Sequence, residues 1–215
     1  MEYEVFGLNE VKLFISKEHR FGTDSLLLGE FAAKAGNSAR VVDLCSGCGI
    51  IPVQLLHVNK IYAVEIQQEA VGLIERTVIE NKLDNLEAVH GDLREEETLL
   101  KIGRETVDLV TANPPYYPEN SGFEKDSISQ KTARYDRDCT VLDVVKAASY
   151  LLKYGGELKM CMTAARLAEC VGIMQEHSIE PKEIVFISNK KNNMARLFLI
   201  SGKKGGKSGV TIQWK

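Results

Sequence analysis

Apolar residues along the chain gather in short runs, and between the runs they recur at helical spacing or give way to glycine and charged residues. Short runs rich in valine and isoleucine predict strands, and an apolar residue every three or four positions predicts a helix with one buried face. The first run is Val11-Lys12-Leu13-Phe14-Ile15. Gly22-Thr23-Asp24 is a plausible helix start before the largely apolar stretch 26–35, which Gly36 stops. From there strand and helix alternate. Strands are predicted at 41–44, 61–65, 86–90, 107–112 and 157–162, and the runs 185–187 and 196–200 close the series. Helices are predicted at 51–58, with Pro52 in its first turn, and at 67–82, where Ala70, Val71, Ile74 and Val78 form one stripe. Two more fall at 141–154 and 164–177; Thr140 and Asp143 approximate a capping box for the first of these, and Gly155-Gly156 stops it. The alternation predicts an α/β fold with a doubly wound, mostly parallel seven-stranded sheet. Ligands of such sheets sit at the carboxyl ends of the strands, so candidate chemistry is sought there.

Length adds that residues 1–215 form a single domain, with 1–38 an N-terminal extension and 202–215 a basic C-terminal tail. A domain of this size buries enough surface to need no metal or disulfide. No signal peptide or membrane-length apolar run is recognisable, and the five cysteines (45, 48, 139, 161, 170) fit reduced thiols. The expected setting is the cytoplasm, without a membrane partner, as a monomer or weak homo-oligomer. The net charge of −3 is uneven: residues 182–215 hold eight Lys/Arg against Glu183 alone, which fits either an anionic partner or a solvated basic tail.

Four features stand at successive strand ends. Asp43-Leu44-Cys45-Ser46-Gly47-Cys48-Gly49 leaves a strand for a helix through small residues that let a ligand approach the backbone. The spacing Gly47-x-Gly49-x-x-Pro52 lacks the third glycine of the dinucleotide fingerprint. Asp43 would also repel a pyrophosphate and attract a cation. S-adenosyl-L-methionine, with its sulfonium and ammonium, fits better than a nicotinamide dinucleotide. Glu65 can accept both hydroxyl protons of a ribose. Gly91-Asp92-Leu93 offers an acid for an adenine amino group and an apolar cover for its ring. Each is also compatible with an ordinary turn or a solvated acid; their order is what carries weight.

The fourth feature is Ala112-Asn113-Pro114-Pro115-Tyr116-Tyr117. An adenine amino group or a glutamine amide is a poor nucleophile because its lone pair is delocalised. Two acceptors for its hydrogens favour a pyramidal nitrogen and stabilise the charge it develops. The side-chain carbonyl of Asn113 and the main-chain carbonyl of Pro114 supply them. The prolines stiffen the loop, and Tyr116 offers a stacking face. In-line placement then supplies most of the catalysis without a strong base, and the scattered His19, His57, His90 and His177 are expected to be structural or exposed.

The chain resembles the Rossmann-like class I S-adenosylmethionine-dependent methyltransferases over nearly its whole length. The resemblance assigns Asp43, Cys45, Gly47 and Gly49 to the cofactor loop, Glu65 to the ribose, and Asp92 with Leu93 to the adenine. The family's first loop glycine is Cys45 here, which predicts a backbone without positive φ at that point. A redox or metal role for Cys45-x-x-Cys48 is disfavoured, and no metal is expected.

Asn113-Pro114-Pro115-Tyr116 narrows the resemblance to amino-group methyltransferases. Gly22-Thr23-Asp24-Ser25-Leu26-Leu27-Leu28-Gly29 and Ala133-Arg134-Tyr135 extend it to the tRNA N6-adenine methyltransferases acting on the anticodon loop of a valine tRNA. It implies Asn113, Pro114 and Tyr116 as catalytic residues, and Thr23, Asp24 and Asn113 near the cofactor. Pro115, Tyr116, Tyr117 and Arg134 would lie near the substrate. The expected function is N6 methylation of an adenine in RNA, with tRNA as the partner. The alternatives are a glutamine N5-methyltransferase acting on protein, a DNA adenine methyltransferase, and a non-catalytic cofactor-binding module. The polar stretch 118–138 could close over a substrate, but its four basic and five acidic residues make no simple phosphate clamp.

Overall fold

The computed structural model describes residues 3–8, 10–114, 139–188 and 194–215. A hairpin of β1 (Glu4–Leu8) and β2 (Val11–Ile15) precedes α1 (Thr23–Ala32). The alternating part follows as β3 (Arg40–Leu44), α2 (Ile50–Gln54), β4 (Lys60–Glu65), α3 (Gln68–Asn81), β5 (Leu86–His90), α4 (Glu96–Leu100) and β6 (Val107–Ala112). After residue 138 come α5 (Val141–Leu151), β7 (Leu152–Thr163), a 3-10 turn (Ala164–Arg166), α6 (Leu167–Glu176), β8 (Ile179–Ser188), β9 (Ala195–Lys204) and β10 (Thr211–Trp214).

Among the described residues one sheet holds eight strands in the order β10-β8-β9-β7-β6-β3-β4-β5, and of these only β9 runs antiparallel to its neighbours. The predicted doubly wound parallel architecture is present, with one strand more than expected. Alternation along each strand feeds two apolar layers. Val42, Leu44, Val110, Leu158 and Phe198 face the layer that contains α5 and α6. Val41, Ile61, Leu109, Cys161 and Leu199 face the layer of α1 and α2. The hairpin packs on α3: Lys12 N–H donates to Asn81 Oδ1 at 2.9 Å and Phe14 N–H to Thr77 Oγ1 at 3.1 Å. Among the described residues no helix is long and apolar enough to cross a membrane.

Three departures from the sequence reading have physical causes. The helix expected over 51–58 ends at Gln54, where Leu55 N–H turns to the carbonyl of Pro52 and the chain continues in tight turns. The helix expected over 141–154 starts with the Thr140–Asp143 capping box but ends at Leu151. The carbonyls of Tyr150 and Leu151 accept from Glu105 and Thr106, so the segment leading into β6 takes the bonds a further helical turn would need, and Leu152 pairs with Val107. The stretch expected as a basic tail contains the end of β9 and all of β10, and β10 pairs with β8 through Thr211–Trp214. Trp214 stacks on Phe186 with ring centroids 4.9 Å apart. Several of the basic residues are engaged locally: Lys204 with Glu105, Lys215 with Glu30, and Lys182 with the carbonyl of Lys207.

Candidate active site

Strands β3 and β6 lie side by side in parallel register, with Asp43 opposite Thr111 and Leu44 opposite Ala112. Their carboxyl ends therefore deliver Cys45 and Asn113 to the same rim. Beyond Leu44 the chain must turn into α2 within five residues. It does so with positive φ at Cys45 (59°), Gly47 (54°) and Gly49 (83°). The absence of positive φ expected at Cys45 is thus incorrect. The turn demands a left-handed residue there whichever side chain occupies it, at a cost of roughly 1–2 kcal/mol for a non-glycine. The Cys45 sulfur lies 3.6 Å from that of Cys139, and this contact together with burial raises the Cys45 thiol well above its ordinary range. Burial likewise pushes Cys48 to about 11. Both thiols are neutral at physiological pH. Among the described residues, nothing lies within 4 Å of a Cβ built on Gly47.

Two buried carboxylates stand behind this loop. Glu65, at the end of β4, accepts from Gly47 N–H at 2.8 Å and from Gln67 N–H at 3.0 Å, one bond to each oxygen. Asp43 is fully buried; one oxygen accepts from the Thr111 hydroxyl at 2.5 Å, and the other has no partner among the described residues. Burial raises its carboxyl from 3.8 to about 7; the Thr111 and Ser46 hydroxyls pull it down and the Glu65 charge pushes it up. An unsatisfied buried oxygen beside a second carboxylate is a costly arrangement that a cation would relieve.

A pH dependence follows. The folded pKa of Asp43 lies above the unfolded one, so its contribution to stability is complete below about 4 and is lost as pH rises through about 7. Between pH 5.5 and 8 the free protein should lose roughly 2 kcal/mol relative to Asp43→Asn in denaturant melts. The affinity for a cationic ligand should rise over the same window, and a flat profile would remove Asp43 from the site.

The turn after β5 is tied in by a bond from Gly91 N–H to the Glu65 carbonyl at 3.1 Å. A Cβ on Gly91 would stand 2.3 Å from Thr98 Oγ1, so only glycine fits. Asp92 is held by Arg94, whose Nε contacts both carboxylate oxygens at 3.0 Å and keeps the acid below the usual carboxylate range. Leu93 packs in the core with Val89 and Leu99.

Asn113 joins this rim to α1. Its Nδ2 donates to Asp24 Oδ2 at 3.0 Å and to Ser25 Oγ at 2.8 Å, while its Oδ1 is buried without a partner among the described residues. Thr23 is exposed at the first turn of α1, and Pro114 is buried after Asn113. The expectations for Pro115, Tyr116, Tyr117 and Arg134 fall outside the described residues. Sequence reading passed over Thr111, Ser25 and Arg94. Thr111 is detectable as a lone hydroxyl in an apolar strand, and Ser25 stands inside the motif 22–29. Arg94 carried no signal. The rings of His57, His90 and His177 each contact a backbone carbonyl, of Ala35, Ile66 and Ile173 respectively, at 3.1 Å.

A doubly wound parallel sheet with acids at the ends of its first two adjacent strands, behind a left-handed turn, defines a class I S-adenosylmethionine-dependent methyltransferase. A family model described as the methyltransferase small domain matches residues 8–180, and the chain belongs to that family. Among relatives, the tRNA1(Val) (adenine(37)-N6)-methyltransferase of Flavobacterium johnsoniae is 24% identical over 197 residues, covering 90% of this chain and 82% of that protein. The release factor glutamine methyltransferase of Corynebacterium glutamicum is 29% identical over 124 residues, 54% of this chain and 44% of that protein. The fold is similar to the crystal structure of an M. jannaschii tRNA m1G37 methyltransferase, with a TM-score of 0.67, 17% identity, and coverage of 95% and 57% of the two chains.

The donor set suits the cofactor. When bound, S-adenosylmethionine supplies an activated methyl group on a cationic sulfur. Each Glu65 oxygen accepts one backbone N–H and keeps a lone pair that could take a ribose hydroxyl of a bound cofactor. The orphaned oxygen of Asp43 would answer the cofactor's positive charge. Any role for Asp92 at the adenine has to share its oxygens with Arg94.

Proposed function

We propose that the chain methylates the N6 amino group of an adenine in tRNA. The observation that carries this reading is the orphaned, buried Oδ1 of Asn113 beside the cofactor loop. A buried acceptor left empty costs about 1–3 kcal/mol. An incoming amino group would fill it with one hydrogen while the Pro114 carbonyl takes the other. Drawing on both hydrogens pushes the nitrogen toward a pyramidal, nucleophilic state. Tyr116 enters as a stacking face on the strength of its sequence position. Relatives named for tRNA adenine methylation support the base as substrate, and two of them align over 82% and 76% of their own length.

A glutamine amide presents the same two hydrogens, and the release factor relative keeps that reading open as the alternative. The test is radiolabelled methyl transfer to total tRNA lacking this modification, followed by digestion to nucleosides. Label is expected in N6-methyladenosine. Label on protein glutamine would transfer the assignment, and no label on either would end it in favour of a binding module.

A further inference from the structure

The acceptor role of Asn113 requires that the oxygen end of its amide, not the nitrogen end, face the methyl-accepting group. The two ends are close in size but opposite in kind, one accepting and one donating twice. A half-turn of the amide would set two N–H groups against an amino group and hold it off. We infer that Asp24 and Ser25, in the first turn of α1, fix the polarity of the Asn113 amide and so act as positioning residues for methyl transfer. This rests on the acceptor role proposed for Asn113 and adds how that role is enforced.

The chemistry of the partners determines the orientation. An ionised carboxylate can only accept, so the end of Asn113 that lies 3.0 Å from Asp24 Oδ2 has to be the amino group. Turned over, the amide would bring its oxygen against that carboxylate, replacing a charge-assisted bond with repulsion. Ser25 Oγ takes the second amide hydrogen at 2.8 Å. Both donors are consumed on the α1 side, and Oδ1 is left directed elsewhere, buried and unfilled among the described residues.

The surroundings hold these partners in place. Ser25 is buried. A Cβ on Gly22 would stand 2.2 Å from Asp24 Oδ1, so this glycine leaves the room that the carboxylate occupies. Gln54 Nε2 contacts the Ser25 carbonyl at 3.4 Å and ties this turn to α2, the helix that leaves the cofactor loop. At the other end of α1 the buried Lys159 donates to the Phe31 carbonyl at 3.1 Å. The helix is thus pinned at both ends, which holds the backbone that carries Asp24 and Ser25.

The test reads the amide directly. In ¹⁵N-labelled full-length protein the side-chain NH₂ signals of Asn113 are identified by their absence from Asn113→Asp. Their hydrogens should exchange about tenfold faster in Ser25→Ala and in Asp24→Asn, and Ser25→Thr should restore protection. In parallel, kcat for tRNA methylation should fall about tenfold in Ser25→Ala and about a hundredfold in Asp24→Asn. Cofactor Kd and Tm should stay near the wild-type values, and Ser25→Thr should recover kcat. Unchanged amide exchange in both alanine and asparagine variants overturns the inference. A loss of cofactor affinity as large as the loss of kcat also overturns it, because Asp24 would then be a cofactor contact. Should Asp24→Asn not fold, the Ser25 pair decides alone. If the wild-type chain labels no tRNA, the functional reading fails while the amide exchange still judges this one.

Discussion

Asn113→Ala is expected to reduce methyl transfer by roughly 10²–10³-fold while the cofactor Kd measured by calorimetry changes less than threefold. The substitution removes the acceptor Oδ1 and leaves the carboxylates of Asp43 and Glu65 in place, and these do not bond to Asn113. It also frees Asp24 and Ser25, the partners of the amide nitrogen; Asp24 is half-buried, where water can reach it, whereas Ser25 is buried and loses a bond to its hydroxyl. Alanine should therefore lower stability by about 1 kcal/mol. Asn113→Asp is a sharper version: it retains the oxygen but puts a negative charge 3 Å from Asp24, so kcat should fall as far and Tm should fall as well. If kcat and cofactor affinity decline together in the alanine variant, the oxygen is not an acceptor specific to the transferring state, and the proposed chemistry is wrong.

The second large effect concerns Glu65. Its two oxygens each accept a backbone N–H, from Gly47 in the cofactor loop and from Gln67 at the start of α3. Glutamine has one oxygen and one NH₂ at these places, so in Glu65→Gln one backbone donor must face another donor. Bonds to a charged acceptor are worth about 1.5–3 kcal/mol each, which corresponds to a loss of roughly a hundredfold in cofactor affinity. The ribose would lose an acceptor by the same change. Calorimetric titration of the variant with S-adenosylhomocysteine checks this, and an affinity within threefold of the wild type would exclude Glu65 as the support of the loop. Glu65→Asp tests reach: one methylene shorter, it should hold Gln67 or Gly47 but not both.

How far the chain could be read from its sequence depends on how local each cause is. The strand run 107–112 and the capping box at Thr140 depend on residues a few positions apart, and they appear in the structure as predicted. The acids at strand ends were equally legible, since a polar residue closing an apolar run marks the carboxyl edge of a buried strand. Helix ends were less so. The end of α5 depends on Glu105 and Thr106, more than forty positions earlier in the chain, which take its last carbonyls. The left-handed Cys45 was misread because glycine is a sufficient sign of positive φ and not a necessary one.

What the sequence determined by itself was the alternation of the central strands and helices and the class of the sheet, because these follow from periodicity and from turn residues. Only the tertiary structure decided which groups meet. Asp24 reaches Asn113 across 89 positions, Thr111 reaches Asp43 across 68, and Cys45 meets Cys139 across 94. It also made β10 a strand, since four residues without a buried face gain their conformation from pairing with β8. The reason is common to all of them: a hydrogen bond or a shifted pKa depends on distance in space, and sequence spacing fixes that distance only within a single helix, strand or turn.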